Sequence, residues 1–210
     1  MPRAGRVCAA ILSEGLVLQR IRRQLSFDRL LARLFAVQTE APWVLKGGYA
    51  LELRFRSARS TKDNDLTLRS GLLPTDASGT QRDRLRRRLQ QSASIDLADF
   101  FEFFVQPATL DLEGAPVGGL RYPVEAVMDG RIFAKFHVDI GIGDEVADSQ
   151  EVIEGGDWLA FSGIPRPQFL SIPCEQQWAE KFHAYTRPRL DRMNSRAKDL
   201  IDLAATQPAQ

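Results

Sequence analysis

The spacing of hydrophobic positions predicts helices at the start of the chain. In the stretch SFDRLLARLFAVQTE, apolar residues recur three and four positions apart, which places them on one face of a helix. Residues 8–39 are therefore predicted to form two helices, and Ser26 is the expected N-cap of the second one. Pro42 lies just beyond this stretch and marks its end, because proline cannot continue a helix.

The middle of the chain changes to strand-like patterns separated by turn signals. Five segments have the composition or the alternation of strands, and Asp129-Gly130 between the last two is a strong signal for a two-residue hairpin turn. The predicted strands are residues 43–46, 64–68, 101–106, 119–128 and 131–143. Further helices are expected at 49–55, 80–91, 174–186 and 195–206, with a long connection over 144–172.

These elements in this order predict an α/β (α+β) fold. It is a mixed sheet with an antiparallel hairpin, flanked by helices and followed by a small helical C-terminal part. In the helix over 174–186, Trp178, Phe182 and Tyr185 lie at one-face spacing and are expected to form its buried stripe. The length of 210 residues is that of one domain.

Charge and composition narrow the function classes only slightly. The 28 basic and 27 acidic residues give a net charge of +1, so no bulk attraction to nucleic acid is indicated. Apolar runs are too short to cross a membrane and no secretory signal opens the chain, which predicts a cytoplasmic protein without membrane partners. Because the chain has two cysteines and two histidines, a zinc site is not expected.

Several common catalytic motifs do not occur in the sequence. It contains no G-x-x-x-x-G-K-[ST] phosphate loop and no G-x-S-x-G nucleophile elbow. The segment Gly141-Ile142-Gly143 lacks the third glycine of a dinucleotide-binding fingerprint. Dehydrogenase and serine-hydrolase functions are therefore unsupported.

The clearest candidate chemistry joins Gly47-Gly48 to Asp63 and Asp65. Residues two apart on a strand face the same side, so the two aspartates present neighbouring carboxylates while Asn64 points to the core. Such carboxylates repel each other unless a cation lies between them, and Mg²⁺ binds one or two carboxylates together with substrate phosphates. The glycine turn at the start of a helix offers backbone N–H groups to a triphosphate. An ordinary Asp-Asn-Asp surface turn is the alternative.

A second candidate lies on the predicted strand over 131–143. Its even-numbered residues are apolar and share one face, whereas Lys135, His137 and Asp139 share the other. A solvated polar face explains this pattern equally well. Two glycines that follow Asp139 leave room for a ligand, which makes this residue a candidate third carboxylate facing the metal.

Two C-terminal helices carry the remaining acidic and basic candidates. Lys181 lies at the edge of the aromatic stripe, where it can contact a phosphate or extend its ammonium into water over a buried stem. Asp199 and Asp202 share one helical face, three positions apart. Surface ion pairs such as Arg196–Asp199 and Lys198–Asp202 are the alternative for this segment.

Taken in order, these segments resemble one known family. LLARLF, LKGGYALELRF, RSTKDNDL, FHVDIGIGD, AEKFHAYT and SRAKDLIDL are similar to the AbiEii/AbiGii nucleotidyltransferase toxins of the DNA-polymerase-β-like nucleotidyltransferase superfamily. The resemblance extends from about residue 25 to 204, although Asn64 departs from the apolar residue usual between the two acids. It implies a nucleotidyltransferase core with N-terminal helices over 1–165, and a helical segment over 166–210 that completes the active site.

The resemblance also implies a role for each candidate residue. The implied catalytic residues are Asp63, Asp65, Asp139, Lys181, Asp199 and Asp202. Nucleotide binding is implied for Gly47, Gly48 and Lys181, and Mg²⁺ binding for Asp63 and Asp65. Asp139 either accepts the proton of the attacking hydroxyl or helps to hold a second metal ion. Which of Asp199 and Asp202 matters more is left open.

The function implied by the resemblance is that of a toxin from a toxin–antitoxin pair. Such a protein is a Mg²⁺-dependent transferase that moves a nucleotide from an NTP to the 3′ end of tRNA and so blocks translation. A cognate antitoxin is the implied protein partner. Two alternatives stay open: an antibiotic-type nucleotidyltransferase with a small-molecule acceptor, and a non-catalytic member that only binds its partner.

The predicted helix over 80–91 is strongly basic. Its arginines wrap most of the helix, and two leucines four positions apart mark a narrow buried edge. A solvated helix surface explains such a run. Alternatively it forms one wall of an acceptor channel and contacts tRNA phosphates, a role that suits the forked donors of arginine. The candidate nucleic-acid contacts are Arg82, Arg86, Arg87 and Arg88.

Overall fold

The structure is a computed structural model that describes residues 3–37, 41–55, 58–69, 80–112, 118–147, 149–187 and 197–205. Its helices are α1 (Arg3–Leu34), α2 (Gly47–Arg54), α3 (Gln81–Ala93), α4 (Cys174–Thr186) and α5 (Ala197–Ala205). Its strands are β1 (Trp43–Lys46), β2 (Asp63–Leu68), β3 (Phe101–Val105), β4 (Leu110–Leu112), β5 (Gly119–Met128), β6 (Arg131–Gly141), β7 (Glu151–Glu154) and β8 (Gln168–Ser171).

The described strands form one mixed sheet. Its order is β3-β5-β6-β2-β1-β8-β7, and β4 also pairs with β5. β2 is parallel to β6 and antiparallel to β1, while β5 and β6 form the expected antiparallel hairpin. The predicted α/β fold, a mixed sheet flanked by helices, is therefore confirmed. Among the described helices, none combines the length and the apolar composition needed to cross a membrane.

Helices α1 and α3 cover one face of this sheet. The ring of Phe27 on α1 meets that of Phe136 on β6 edge-on, with 4.9 Å between the ring centroids. Leu85 and Leu89 of α3 are fully buried in the same apolar cluster. Over residues 120–126 of β5 and 134–140 of β6, the even-numbered residues point into this core, so the odd-numbered ones face the opposite, more open side. Ile132, at the start of β6, is 56% exposed instead.

The start of the hairpin has a register that conflicts with its apolar pattern. Asp129-Gly130 forms the two-residue turn and leaves Met128 opposite Arg131, so even-numbered residues oppose odd-numbered ones. Apolar residues occupy even positions on both strands, and directly opposed side chains point to the same face. The conflict is removed by a shift of one residue between Ala126 and Val127.

Beyond this shift the two faces of the hairpin separate cleanly. Val124 opposes Phe136 on the buried face, and Arg121 opposes Asp139 on the open face. The register shift therefore puts an arginine beside a candidate catalytic carboxylate.

A buried carboxylate on α1 fixes the beginning of α2. Asp28 accepts hydrogen bonds from the hydroxyl of Tyr49 at 2.6 Å, the N–H of Gly156 at 2.7 Å and Nε1 of Trp158 at 2.8 Å. Burial raises the pKa of Asp28 to about 6, even though these donors favour its charged form. One side chain thus joins α1, the first turn of α2 and the connection after β7.

The prediction of two N-terminal helices is wrong. Residues 3–34 form the single helix α1, and Ser26 lies inside it rather than at a cap. The Ser26 hydroxyl donates a 2.8 Å hydrogen bond to the carbonyl oxygen of Arg22, one turn earlier, so the polar group is satisfied without a break. For the last helix the sequence predicts an N-cap at Asn194 or Ser195, and both residues lie outside the described ranges.

The aromatic stripe predicted on α4 is not buried. Trp178 and Phe182 are 42% and 47% exposed, and their rings stack on each other with centroids 5.1 Å apart. Gln177, one position away on the helix, is the side chain that α4 buries. The side chain that α4 buries is therefore polar, and the two stacked aromatic rings remain partly exposed.

The connection predicted over 144–172 contains two short strands. β7 and β8 pair antiparallel, and β8 joins the sheet beside β1, where Ser171 is the partner of Leu45. Four-residue strands of mixed polarity carry too weak an alternation to be seen in sequence. Because β8 lies within residues 166–210, the sheet extends into the segment expected to be helical. The division at residue 165 stays a prediction.

Replacing Asn64 by valine should stabilise the protein. Asn64 is fully buried as predicted, yet neither its Oδ1 nor its Nδ2 has a hydrogen-bond partner among the described residues. An unpaired buried amide costs about 1–3 kcal/mol, so the free energy of unfolding should rise by a comparable amount. Denaturant titration of both proteins measures it.

Ser171→Ala is the matched control for this change. The Ser171 hydroxyl is equally buried but donates a 2.9 Å hydrogen bond to the carbonyl oxygen of Leu45. Its removal should lower the free energy of unfolding by about 1 kcal/mol. If Asn64→Val and Ser171→Ala lower the free energy of unfolding equally, the Asn64 amide is hydrogen-bonded in solution.

Candidate active site

The pairing of β2 with β6 collects three carboxylates on the open face of the sheet. Asp63 and Asp65 project from β2 on that side, as predicted, while Asn64 between them is buried in the core. Asp139 on β6 is the direct register partner of Asp65. Neighbouring strands lie about 4.8 Å apart, so these side chains interact strongly.

Burial and the neighbouring charge of Asp139 both disfavour the ionised form of Asp65. Burial, and then the charge of Asp139, raises the pKa of Asp65 to about 6 from its ordinary 3.8. A hydrogen bond from the Gly48 N–H, at 3.2 Å from Oδ2, and the charges of Lys181 and Lys46 act in the opposite direction. A cation placed here would stabilise the ionised form.

The chemistry of this donor set fits a magnesium ion that is shared with a substrate. Within the described ranges, no group of three or more His, Cys, Asp or Glu side chains is arranged to hold a metal ion. Mg²⁺ in nucleotide sites needs only one or two carboxylates, because phosphate oxygens and water complete its shell. Asp63 and Asp65 provide such a pair.

The Gly47-Gly48 turn lies directly against these carboxylates. Gly47 has φ +70°, and a Cβ at this position would overlap Oδ2 of Asp65. The carbonyl oxygen of Gly47 accepts a hydrogen bond from Nε2 of Gln177 on α4. The turn is thus fixed on one side by the sheet and on the other by α4.

Arg121 of β5 occupies the centre of the carboxylate group. Its Nε donates to Oδ1 of Asp139 at 2.7 Å, and its Nη2 donates to Oδ2 of Asp139 at 2.6 Å. The same Nη2 lies 3.5 Å from Oδ2 of Asp63. Hydrogen bonding to Asp139 raises the pKa of Arg121 further above its ordinary value, so the guanidinium stays charged.

Two more basic side chains adjoin the carboxylates. Nδ1 of His137 lies 3.1 Å from Oδ1 of Asp63. Lys46, the register partner of Asp65, forms an ion pair with Asp144 in the segment after β6. Lys46 and Arg121 therefore place positive charge on both sides of the β2 aspartates.

Lys181 connects α4 to both acidic residues of α5. Its Nζ lies 3.1 Å from Oδ1 of Asp199 and 2.8 Å from Oδ2 of Asp202. Asp202 is only 2% exposed and also pairs with Arg59, at 2.9 Å from Nε. The surface pair Lys198–Asp202 is therefore wrong, because Asp202 points inward to two other cations.

No local sequence motif indicates Arg121, Lys46, Arg59 or Gln177. Their contacts join residues far apart along the chain, such as Lys46 with Asp144, 98 positions away. Arg121 is a partial exception, because the parity conflict in the hairpin requires a register shift that puts Arg121 opposite an odd-numbered residue of β6. The other three can be found only from the folded structure.

The comparison with protein families agrees with this geometry. Residues 29–207 match the family described as "Nucleotidyl transferase AbiEii toxin, Type IV TA system". The chain belongs to this AbiEii family. The resemblance noted in the sequence is thereby confirmed. No curated protein matches the chain.

Solved structures show the same fold at low sequence identity. JHP933 from Helicobacter pylori aligns with a TM-score of 0.52 and 19% identity, over 88% of this chain and 64% of its own. MenT4, a nucleotidyltransferase toxin from Mycobacterium tuberculosis H37Rv, aligns with a TM-score of 0.55 and 20% identity, over 88% and 57%. A putative nucleotidyltransferase from H. pylori gives 0.51 and 18%, over 88% and 66%. The AbiEii chain thus spans less than two thirds of each of these structures.

The basic helix of the AbiEii chain lies away from the carboxylates. α3 buries Leu85 and Leu89 against the covered face of the sheet, whereas the three aspartates project from the other face. Arg87 and Arg88 are exposed, and Arg86 donates a 3.2 Å hydrogen bond to the carbonyl oxygen of Val105. The tRNA contact proposed for Arg82, Arg86, Arg87 and Arg88 stays a prediction.

A cavity of about 550 Å³ adjoins Asp63 and the hairpin of β5 and β6. Its charged lining consists of Arg23, Lys62, Arg121, Lys135, Asp63 and Glu125. Four of these six side chains are basic, so the cavity favours an anionic occupant. The buried Nε of Arg23, a residue that lines this cavity, has no hydrogen-bond partner among the described residues.

Substituting Gly47 by alanine should damage the site beyond its effect on stability. The new Cβ must displace the Asp65 carboxylate, and the positive φ costs about 1–2 kcal/mol. Binding of a fluorescent NTP analogue should weaken by about tenfold or more, which corresponds to about 1.4 kcal/mol.

Gly130→Ala separates the two effects. Gly130 has a similar φ of +66°, but a Cβ at this position would have no other atom within 4 Å. This variant should lose comparable stability and retain nucleotide binding. If both variants bind the analogue equally well, the Gly47 turn does not position Asp65 for the nucleotide.

Proposed function

We propose that this AbiEii-family chain is the toxin of a toxin–antitoxin pair and transfers a nucleotide from an NTP to the 3′ end of tRNA, which blocks translation. A cognate antitoxin is its proposed partner. The observation that carries the proposal is the convergence of Asp63, Asp65 and Asp139 beside the Gly47-Gly48 turn. Family membership supports the transfer reaction. An ordinary acidic surface turn, the alternative interpretation of Asp63 and Asp65, would need no such arrangement of carboxylates.

The triphosphate is proposed to bind between the glycine turn and α4. Backbone N–H groups at the start of α2 face the carboxylates, and helix N-termini attract phosphate. Lys181 contributes a positive charge near Asp65, and the ion pairs with Asp199 and Asp202 hold its ammonium in place. Of these two acids, Asp202 is the better anchor, because it is more deeply buried and also binds Arg59.

Asp63 and Asp65 would hold Mg²⁺, which when bound supplies positive charge to the phosphate oxygens as the leaving group departs. The chain itself contributes mainly positioning and charge, as is general for phosphoryl-type transfers. The strands fix the carboxylates, the turn and Lys181 orient the triphosphate, and the cavity beside Asp63 leaves space for the acceptor hydroxyl.

The charge of this cavity supports a nucleic-acid acceptor over an antibiotic. Aminoglycoside-like acceptors are polycations, which an excess of arginine and lysine repels. A phosphodiester strand is attracted to the same side chains. Lys62 is exposed, and Arg23 also lines the cavity. The antibiotic-type alternative is therefore the weaker one.

Incubation with labelled NTPs, Mg²⁺ and total tRNA tests the transfer reaction. Asp63→Asn and Asp65→Asn should each abolish labelling, because one remaining carboxylate holds the ion poorly. Lys181→Ala should reduce the rate by about ten- to a thousandfold through lost charge stabilisation. Circular dichroism melts of the same samples establish that the variants are folded.

Transfer that survives in the folded Asp65→Asn variant would rule out the proposed metal site. Wild-type protein that labels no acceptor, yet remains toxic in cells, would favour the non-catalytic alternative. Toxicity that is lost together with labelling supports the proposed toxin.

The salt dependence of tRNA binding distinguishes the cavity beside Asp63 from the basic helix α3 as the surface that binds the acceptor. Removing one protein–phosphate interaction lowers the slope of log affinity against log salt by about one. Arg23→Gln with Lys62→Gln should flatten this slope by about one to two if the cavity binds the acceptor. The triple change of Arg86, Arg87 and Arg88 to Gln serves as the comparison. A flatter slope only in the triple variant would assign the acceptor to α3.

A further inference from the structure

The position of Arg121 bears on how many metal ions the site can take. The guanidinium binds both oxygens of Asp139 at 2.6–2.7 Å and reaches Asp63 at 3.5 Å. Two parallel N–H···O bonds of this kind are the strongest pairing that arginine makes with a carboxylate. Asp139 is thus the acid whose charge is compensated within the protein.

The local charge balance leads to the same result. Asp63, Asp65 and Asp139 carry three negative charges when ionised, and Arg121 contributes one positive charge among them. Lys181 and Lys46 are engaged by acids outside this trio: Asp199 and Asp202, and Asp144. The remaining two negative charges match a single divalent cation.

We propose that Arg121 is a built-in cation that takes the place of a second metal ion, so that the site binds one divalent cation at Asp63 and Asp65. This inference rests on the proposed nucleotidyl transfer. Arg121 acts through Asp139 and is a positioning residue: it keeps this carboxylate from a metal ion and holds it next to the acceptor cavity that Arg121 itself lines.

The hairpin itself provides a matched control. Lys135 and Glu125 form a second cross-strand pair on the same face of β5 and β6, four residues from Arg121 and Asp139 along each strand. Nζ of Lys135 lies 2.5 Å from Glu125. A basic residue is therefore removed from the same face in either case, but only the Arg121 variant frees a carboxylate beside Asp65.

Electron paramagnetic resonance of Mn²⁺ bound to the full chain, with a non-hydrolysable NTP analogue present, counts the ions. The wild type and Lys135→Met should bind a single Mn²⁺. Arg121→Met should gain a second one, because Asp139 is then free to bind a cation. Arg121→Lys, which keeps the charge, should return the count to a single ion. Thermal melts identify any variant that is not folded.

The possible results are distinct. Two ions in the wild type would overturn the proposal while leaving metal-dependent transfer intact, and this result needs no variant to fold. A single ion in folded Arg121→Met would also overturn it, since Asp139 would then not be the residue that Arg121 withholds. No bound Mn²⁺ in the wild type would remove the proposed metal-dependent function itself, and this inference with it.

Discussion

Mutual repulsion of carboxylates is the constraint around which the open face of this protein is organised. Parallel pairing of β2 with β6 sets Asp65 beside Asp139, and the period of the strand brings Asp63 to the same side. Burial, and then the charge of Asp139, raises the pKa of Asp65, so keeping all three carboxylates ionised carries a cost. Arg121, the Gly48 N–H and α4 all act on it, which explains why elements distant in sequence meet here.

Part of this site follows from sequence because its geometry is local. Two-residue periodicity is enough to put Asp63 and Asp65 on one face with Asn64 in the core, and it also separates Asp139 from its apolar neighbours. Contacts that depend on chain packing are different in kind. Gln177 reaches the carbonyl oxygen of Gly47 across 130 positions, and no pattern near either residue encodes that meeting.

The incorrect expectations have a common physical origin. Ser26 has the chemistry of a helix cap, but a hydroxyl can equally bond one turn back along the helix, as it does to Arg22. Trp178 and Phe182 have the spacing of a buried stripe, but spacing cannot supply a surface to cover them. Sequence predicts which side chains share a face; whether that face meets a partner is decided by the rest of the fold.

The shifted hairpin limits how this region can change in length. One residue added to the Asp129-Gly130 loop would make the loop compatible with the apolar pattern without the shift at Ala126 and Val127. Adding two residues would retain the mismatch and need the shift again. Insertions at this turn therefore fall into odd and even classes: odd ones exchange the irregularity for a regular ladder, and even ones preserve it.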